Sequence, residues 1–140
     1  ITLEKRLFKR GACLECPQNV RRYLRLKLAR ETREVFSAIF LDSRHRVIAY
    51  EPLFYGTIES VKVHPRQVIQ LALKHNSAAV IAAHNHPSGD TAPSESDEAI
   101  TRKLKMILDH IEVRFLDHFI IGEGEPFSFA EAGLIPASDS

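Results

Sequence analysis

The chain has 140 residues, 44% hydrophobic and 26% charged, with a formal net charge of +1. These values fit one globular domain whose core is large enough to need no disulfide staples. No apolar run reaches the roughly 18–20 residues that cross a bilayer, no charged-then-apolar signal segment opens the chain, and two cysteines are too few for a secreted disulfide framework. A cytoplasmic protein that does not span a membrane is the expectation.

The charge is unevenly placed. Residues 1–33 hold ten Lys/Arg (Lys5, Arg6, Lys9, Arg10, Arg21, Arg22, Arg25, Lys27, Arg30, Arg33) against three acids (Glu4, Glu15, Glu31), a net of +7. Residues 34–140 hold nine Lys/Arg against fifteen acids, a net of −6. Such a segment can meet phosphates. With only Phe8 and Tyr23 interleaved, a solvated basic face on an N-terminal helix explains it as simply. The first residue is isoleucine rather than methionine, which predicts further sequence upstream.

Residues 1–17 read as an irregular or briefly helical lead, with Pro17 suited to a helix's first turn. Val20, Leu24 and Leu28 then recur every four residues, with Tyr23 and Leu26 alongside, predicting an amphipathic helix over about 18–31. Val35 to Leu41 is apolar except for Ser37 and rich in β-branched and aromatic residues, as a buried strand is. Asp42-Ser43-Arg44-His45 turns the chain into a second strand, Val47 to Tyr55, making a hairpin that Gly56 ends.

Pro65 can open a second helix, with Val68, Ile69, Ala72 and Leu73 as its apolar stripe up to about His75. Ala78 to Ala83 carries no charge and suits a central strand. After a Pro/Ser/Gly/Asp loop, Ser94 offers a helix cap, and Ile100, Leu104, Ile107 and Leu108 carry a third helix to about His110. Val113 to Ile121 reads as a strand, Gly122-Glu123-Gly124 as its turn, and Phe127 to Phe129 as a last short strand. The order α-β-β-α-β-α-β(-β) predicts an α/β domain over 18–135, with one mixed central sheet flanked by helices and a tail over 136–140.

The chemistry concentrates in His84-Asn85-His86-Pro87-Ser88-Gly89-Asp90-Thr91-Ala92-Pro93-Ser94-Glu95-Ser96-Asp97. Two histidines two residues apart share a strand face, about 6.6 Å apart along the backbone, so their rings can converge. Asp97 arrives after ten intervening residues, at the start of a helix that the Pro/Gly-rich loop can fold back over them. Two neutral imidazoles and one carboxylate suit Zn²⁺ with a position left for water, the catalytic arrangement. Ser94-x-x-Asp97 also reads as a helix-capping pair, and the histidines as ordinary loop residues.

His-x-His-Pro followed by Ser-x-x-Asp resembles the JAMM (MPN+) metalloprotease signature. Gly56-Thr57, Val63-His64-Pro65-Arg66, His84-Asn85-His86-Pro87-Ser88-Gly89, Asp117-His118-x-Ile120-Ile121-Gly122 and Ser128-Phe129 together resemble the RadC branch of that family, over about 18–135. The resemblance implies the JAMM/MPN, cytidine-deaminase-like architecture, one zinc ion on His84, His86 and Asp97, and an oxyanion-holding Ser94. It implies a glutamate at the start of the first strand as the proton carrier, and Glu34 matches. Glu51 and Glu59 are its rivals, and a solvated carboxylate paired with Arg30 or Arg33 is the plain alternative. Asn85 stands where Ser or Thr is commoner in the wider family; RadC members have Asn there, which makes ubiquitin-type substrates less expected.

The implied function is zinc-dependent hydrolysis of a peptide or isopeptide bond in a peptide or protein substrate. The alternative is a nucleic-acid-binding or accessory module linked to DNA repair, using the basic segment. A homodimer is compatible with either. A zinc nucleobase deaminase would need His-x-Glu followed by Pro-Cys-x-x-Cys; here no glutamate follows His84 at that spacing, and the cysteines precede the histidines by about 70 residues. Asp117 and His118 read as a buried pair or a support for the metal, Arg66 as a cap or a carboxylate partner, and Ser88 and Gly89 as loop-shaping residues. Cys13-x-x-Cys16 lacks the second pair that a zinc site requires and reads as two incidental thiols.

Overall fold

A computed structural model describes residues 13–14, 16–28, 31–56 and 63–137. Most of the lead (1–12), Arg30, Glu59 and the end of the tail (138–140) lie outside the described residues. The elements are α1 (Pro17–Leu28), β1 (Val35–Leu41), β2 (Val47–Tyr55), α2 (Pro65–Lys74), β3 (Ala79–Asn85), α3 (Glu95–His110), β4 (Arg114–Ile121) and β5 (Phe127–Ser128).

They build one mixed five-stranded sheet in the order β2-β1-β3-β4-β5. β1 pairs antiparallel with both β2 and β3. β3 and β4 are parallel, so the chain must cross over between them, and α3 is that crossover. The two-residue period of the strands sorts their side chains onto two cores. Val35, Ile39, Ala79, Ile81, Ala83, Phe119 and Ile121 face α1, through Val20, Tyr23, Leu24 and Leu28. Phe36, Ala38, Phe40, Val80, Ala82 and Phe115 face α2 and α3, through Val68, Ala72, Ile100, Leu104 and Leu108. The domain is therefore three-layered, with one helix on one face and two on the other.

Two details depart from the periodicity reading. β3 runs two residues beyond Ala83, so His84 and Asn85 belong to the sheet. Leu73 is 60% exposed, while Leu71 packs on the core. Neighbouring helix residues stand about 100° apart, and the way α2 crosses the sheet turns inward the Val68–Leu71–Ala72 side. No described helix is long and apolar enough to cross a membrane.

Candidate metal centre

Alternation along β3 continues from Val80 and Ala82 to His84, on the side of α3. The His84 ring is fully buried and stacks on Phe36, with centroids 5.8 Å apart. His86 follows just past the strand end, half-buried, its backbone N–H donating to Ile121 O at 2.8 Å. Asp97 is buried in the first turn of α3. His84 Nε2 lies 3.2 Å from Asp97 Oδ1, His86 Nε2 lies 3.5 Å from Asp97 Oδ2, and the two Nε2 atoms are 2.8 Å apart.

The hydrogen bonds around the two rings fix which nitrogen of each faces the centre. Thr101 Oγ1 donates its only proton to Asp97 O at 2.8 Å. Its 2.7 Å contact with His118 Nδ1 must then be donated by the ring. Complete burial, and next the nearby charge on His84, pull His118 well below the usual histidine range, so it is neutral and its Nε2 can only accept. His84 Nδ1–H fills that role at 2.9 Å. His86 Nδ1 faces the Asp90 carbonyl at 2.7 Å, which can only accept, so this nitrogen also carries its proton. With Nδ1 committed on both rings, the two Nε2 atoms meet 2.8 Å apart beside Asp97, a contact that repels unless a proton or a cation stands there.

The local charge suits a cation. Burial alone would raise the Asp97 carboxyl, but bonds from His84 and His86 override it and hold Asp97 well below the ordinary carboxylate range. His86 is raised, chiefly by Asp97, with the Asp90 carbonyl and the Glu34 charge adding to the effect. Two imidazole nitrogens and a carboxylate oxygen lie within 4.8 Å of one another. These residues could hold a metal ion, and two imidazole nitrogens with one carboxylate are a donor set that suits Zn²⁺.

The capping reading of Ser94 and Asp97 is borne out. Asp97 N donates to Ser94 Oγ at 3.0 Å, and Ser94 N donates to Asp97 Oδ2 at 2.8 Å. This capping box orients Asp97 and leaves the Ser94 hydroxyl proton free to donate elsewhere. The carboxylate also complements the positive end of α3.

Glu34 directly precedes β1 and is half-buried. Counting back from Phe36 in steps of two puts it on the α3 side with the histidines. No hydrogen bond among the described residues holds its carboxylate, while its charge acts on His86. Glu51, the rival in β2, is taken up by His75 Nε2 at 2.8 Å.

Asp117 and His118 point to opposite faces of β4 and do separate work. His118 backs His84. Asp117 accepts from Ser128 Oγ at 2.6 Å and from Ala130 N at 2.9 Å, pinning the turn after β5. Arg66 is exposed on α2 and Ser88 is exposed in the loop. Cys13 and Cys16 are exposed and form no disulfide, and Cys13 Sγ donates to Arg44 O at 3.5 Å. Arg21 and Arg25 from the basic segment bond to the residues around β5, Arg21 to Glu131 and Pro126 O, and the exposed Arg25 to Glu125 and Gly124 O.

Two features escaped the sequence reading. Thr101 is one; its spacing of four from Asp97, on one helix face, was the available signal. The other is a cavity of about 200 Å³ beside His86, lined by Leu28, Glu31, Asn85, Gly89 and Glu123 among others. It forms between distant segments and leaves no local pattern.

Comparison with known proteins agrees with this architecture. A profile of RadC-like JAB domains matches residues 14–134. A UPF0758 protein of Nitrosococcus oceani is 56% identical over 127 residues, covering 91% of this chain and 57% of that protein. One from Xanthomonas campestris pv. campestris is 52% identical over 128 residues, with the same coverage of 91% and 57%. One from Ectopseudomonas mendocina is 54% identical over 125 residues, covering 89% and 56%. The chain thus spans a little over half the length of these relatives. With the profile running through every one of the motif segments, this chain belongs to the RadC-like JAB domain family.

Proposed function

We propose that this domain is a zinc-dependent hydrolase of the JAMM type that cleaves a peptide or isopeptide bond in a protein or peptide substrate. The observation that carries the reading is the meeting of the two Nε2 atoms 2.8 Å apart beside the buried Asp97 carboxylate, three donor atoms grouped on one point. His84, His86 and Asp97 would hold one zinc ion. When bound, zinc makes a coordinated water acidic near neutral pH and polarises a carbonyl. Glu34 takes a proton on its carboxylate and returns it to the departing amine. Ser94, whose oxygen already accepts the Asp97 N–H, turns its own proton toward the developing oxyanion. The exposed thiols suit a reducing, cytoplasmic setting.

The test combines metal analysis with a peptidase panel on wild type, His84→Ala and Glu34→Gln. Wild type should carry one zinc per chain, and His84→Ala should carry none. Glu34→Gln should keep zinc and lose the activity. Full metal content in His84→Ala would remove the ligand assignment, and wild-type activity in Glu34→Gln would remove the proton carrier.

A further inference from the structure

Asn85 stands between the two histidines, and its side chain is turned away from them. Val35 N donates to Asn85 Oδ1 at 2.7 Å, and Asn85 Nδ2 donates to Arg33 O at 2.8 Å. The amide orientation is fixed by chemistry, because an N–H needs the oxygen and a carbonyl needs the nitrogen. Val35 N and Arg33 O belong to the two peptide units that flank the Cα of Glu34. Gly56 N adds a third bond, to Glu34 O at 2.8 Å.

The backbone ladder between β1 and β3 ends at Phe36 and His84. Beyond it, the Asn85 amide takes over and holds both dihedral angles of Glu34. Asn85 is itself only 4% exposed, and its backbone pairs with Ile121 on the other side of β3. The histidines are thus held by β4 and the loop, and Glu34 is held by the Asn85 side chain.

We infer that Asn85 is the positioning residue for Glu34, setting the direction of its Cα–Cβ bond toward the metal centre. The inference rests on the proposed role of Glu34. A carboxylate that no hydrogen bond among the described residues holds takes its place from its backbone, and Asn85 supplies two of the three bonds that these residues make to that backbone. Ser or Thr at this position is too short to span both peptide units.

The experiment uses the chain as wild type, Asn85→Ala, Glu34→Gln and the double variant, loaded with Zn²⁺ or Co²⁺ alone. Zinc affinity of Asn85→Ala should stay within about threefold of wild type, because its histidine supports are untouched. Exchange of the Val35 amide should quicken by about tenfold. The visible spectrum of the Co²⁺ form should change as it does in Glu34→Gln, and the double variant should add nothing further.

A wild-type Co²⁺ spectrum in Asn85→Ala overturns the inference. So does a zinc affinity lowered by more than about tenfold, which would make Asn85 a support of the histidines. If Asn85→Ala does not fold, Asn85→Asp carries the test. It keeps the acceptor for Val35 N–H, sets a charge against the Arg33 carbonyl, and should still shift the spectrum; a wild-type spectrum there is equally fatal. Failure of the parent reading shows without any change at position 85: wild type takes up no metal, or Glu34→Gln has the wild-type spectrum. Either result removes this inference with it.

Discussion

His118 occupies a site where an apolar residue would pack well, since its ring stacks on Phe129 with centroids 4.4 Å apart. What an apolar residue would lack is an acceptor for His84 Nδ1–H. Without that acceptor, nothing holds the His84 ring proton on Nδ1, and the tautomer with its proton on Nε2 has no lone pair to offer a metal. Supports that fix a ligand's tautomer typically contribute 10–100-fold to metal affinity. His118→Leu should therefore fold and lose zinc affinity by about that factor, read by competition with a chromophoric chelator. Unchanged affinity would mean that His84 needs no partner behind it. Thr101 completes the argument, because its proton is committed to the Asp97 carbonyl and forces the His118 tautomer.

At the scale of elements, the segment from β3 to α3 owes its path to one close approach. Gly89 adopts a φ of +92°, and its carbonyl receives Glu123 N–H at 2.9 Å. A Cβ on Gly122 would fall 2.6 Å from Gly89 O and 2.9 Å from Thr91 Cγ2. Backbone lies on one side of that approach, so Gly122→Ala must push the loop outward. The loop carries Asp90, whose carbonyl orients His86. Gly122→Ala should cost about 1–3 kcal/mol in urea unfolding of the metal-free chain, and should weaken zinc binding as well. Wild-type values in both measurements would show that the loop absorbs the added methyl.

The same segment marks what a sequence can disclose. His84, His86, Ser94 and Asp97 are near neighbours in sequence, so strand and helix periods suffice to bring them onto one centre. The strands and helices are legible for the same reason, because each is a local pattern closed by its own proline, glycine or cap. Asn85, His118 and Gly122 act through partners 31 to 52 residues away, and only the register of β1, β3 and β4 decides who those partners are. Leu73 failed for a related reason: a helix displays several candidate faces, and the packing angle selects one.

Across the whole molecule, the basic segment and the core overlap, which decides how a nucleic-acid role can be tested. Residues 1–33 include α1, whose Val20, Tyr23, Leu24 and Leu28 are all buried on the sheet. Each such side chain contributes about 1.5–3 kcal/mol by burial, so the four contribute about 6–12 kcal/mol against a usual total margin of about 5–15 kcal/mol. A chain lacking 1–33 should therefore show no cooperative thermal transition, and any drop in its DNA affinity would say nothing about which residues touch the phosphates. Removing 1–12 takes away Lys5, Arg6, Lys9 and Arg10 against one acid, Glu4, and leaves every described core residue in place. That shorter chain should melt cooperatively. Arg21 and Arg25, which it retains, are engaged by Glu131 and Glu125. If the basic segment neutralises phosphates, the slope of log affinity against log salt should fall in proportion to the cations removed, by about 0.9 for each duplex phosphate no longer neutralised. An unchanged slope in a well-folded chain lacking 1–12 would place the phosphate-binding cations, where binding exists, outside that segment.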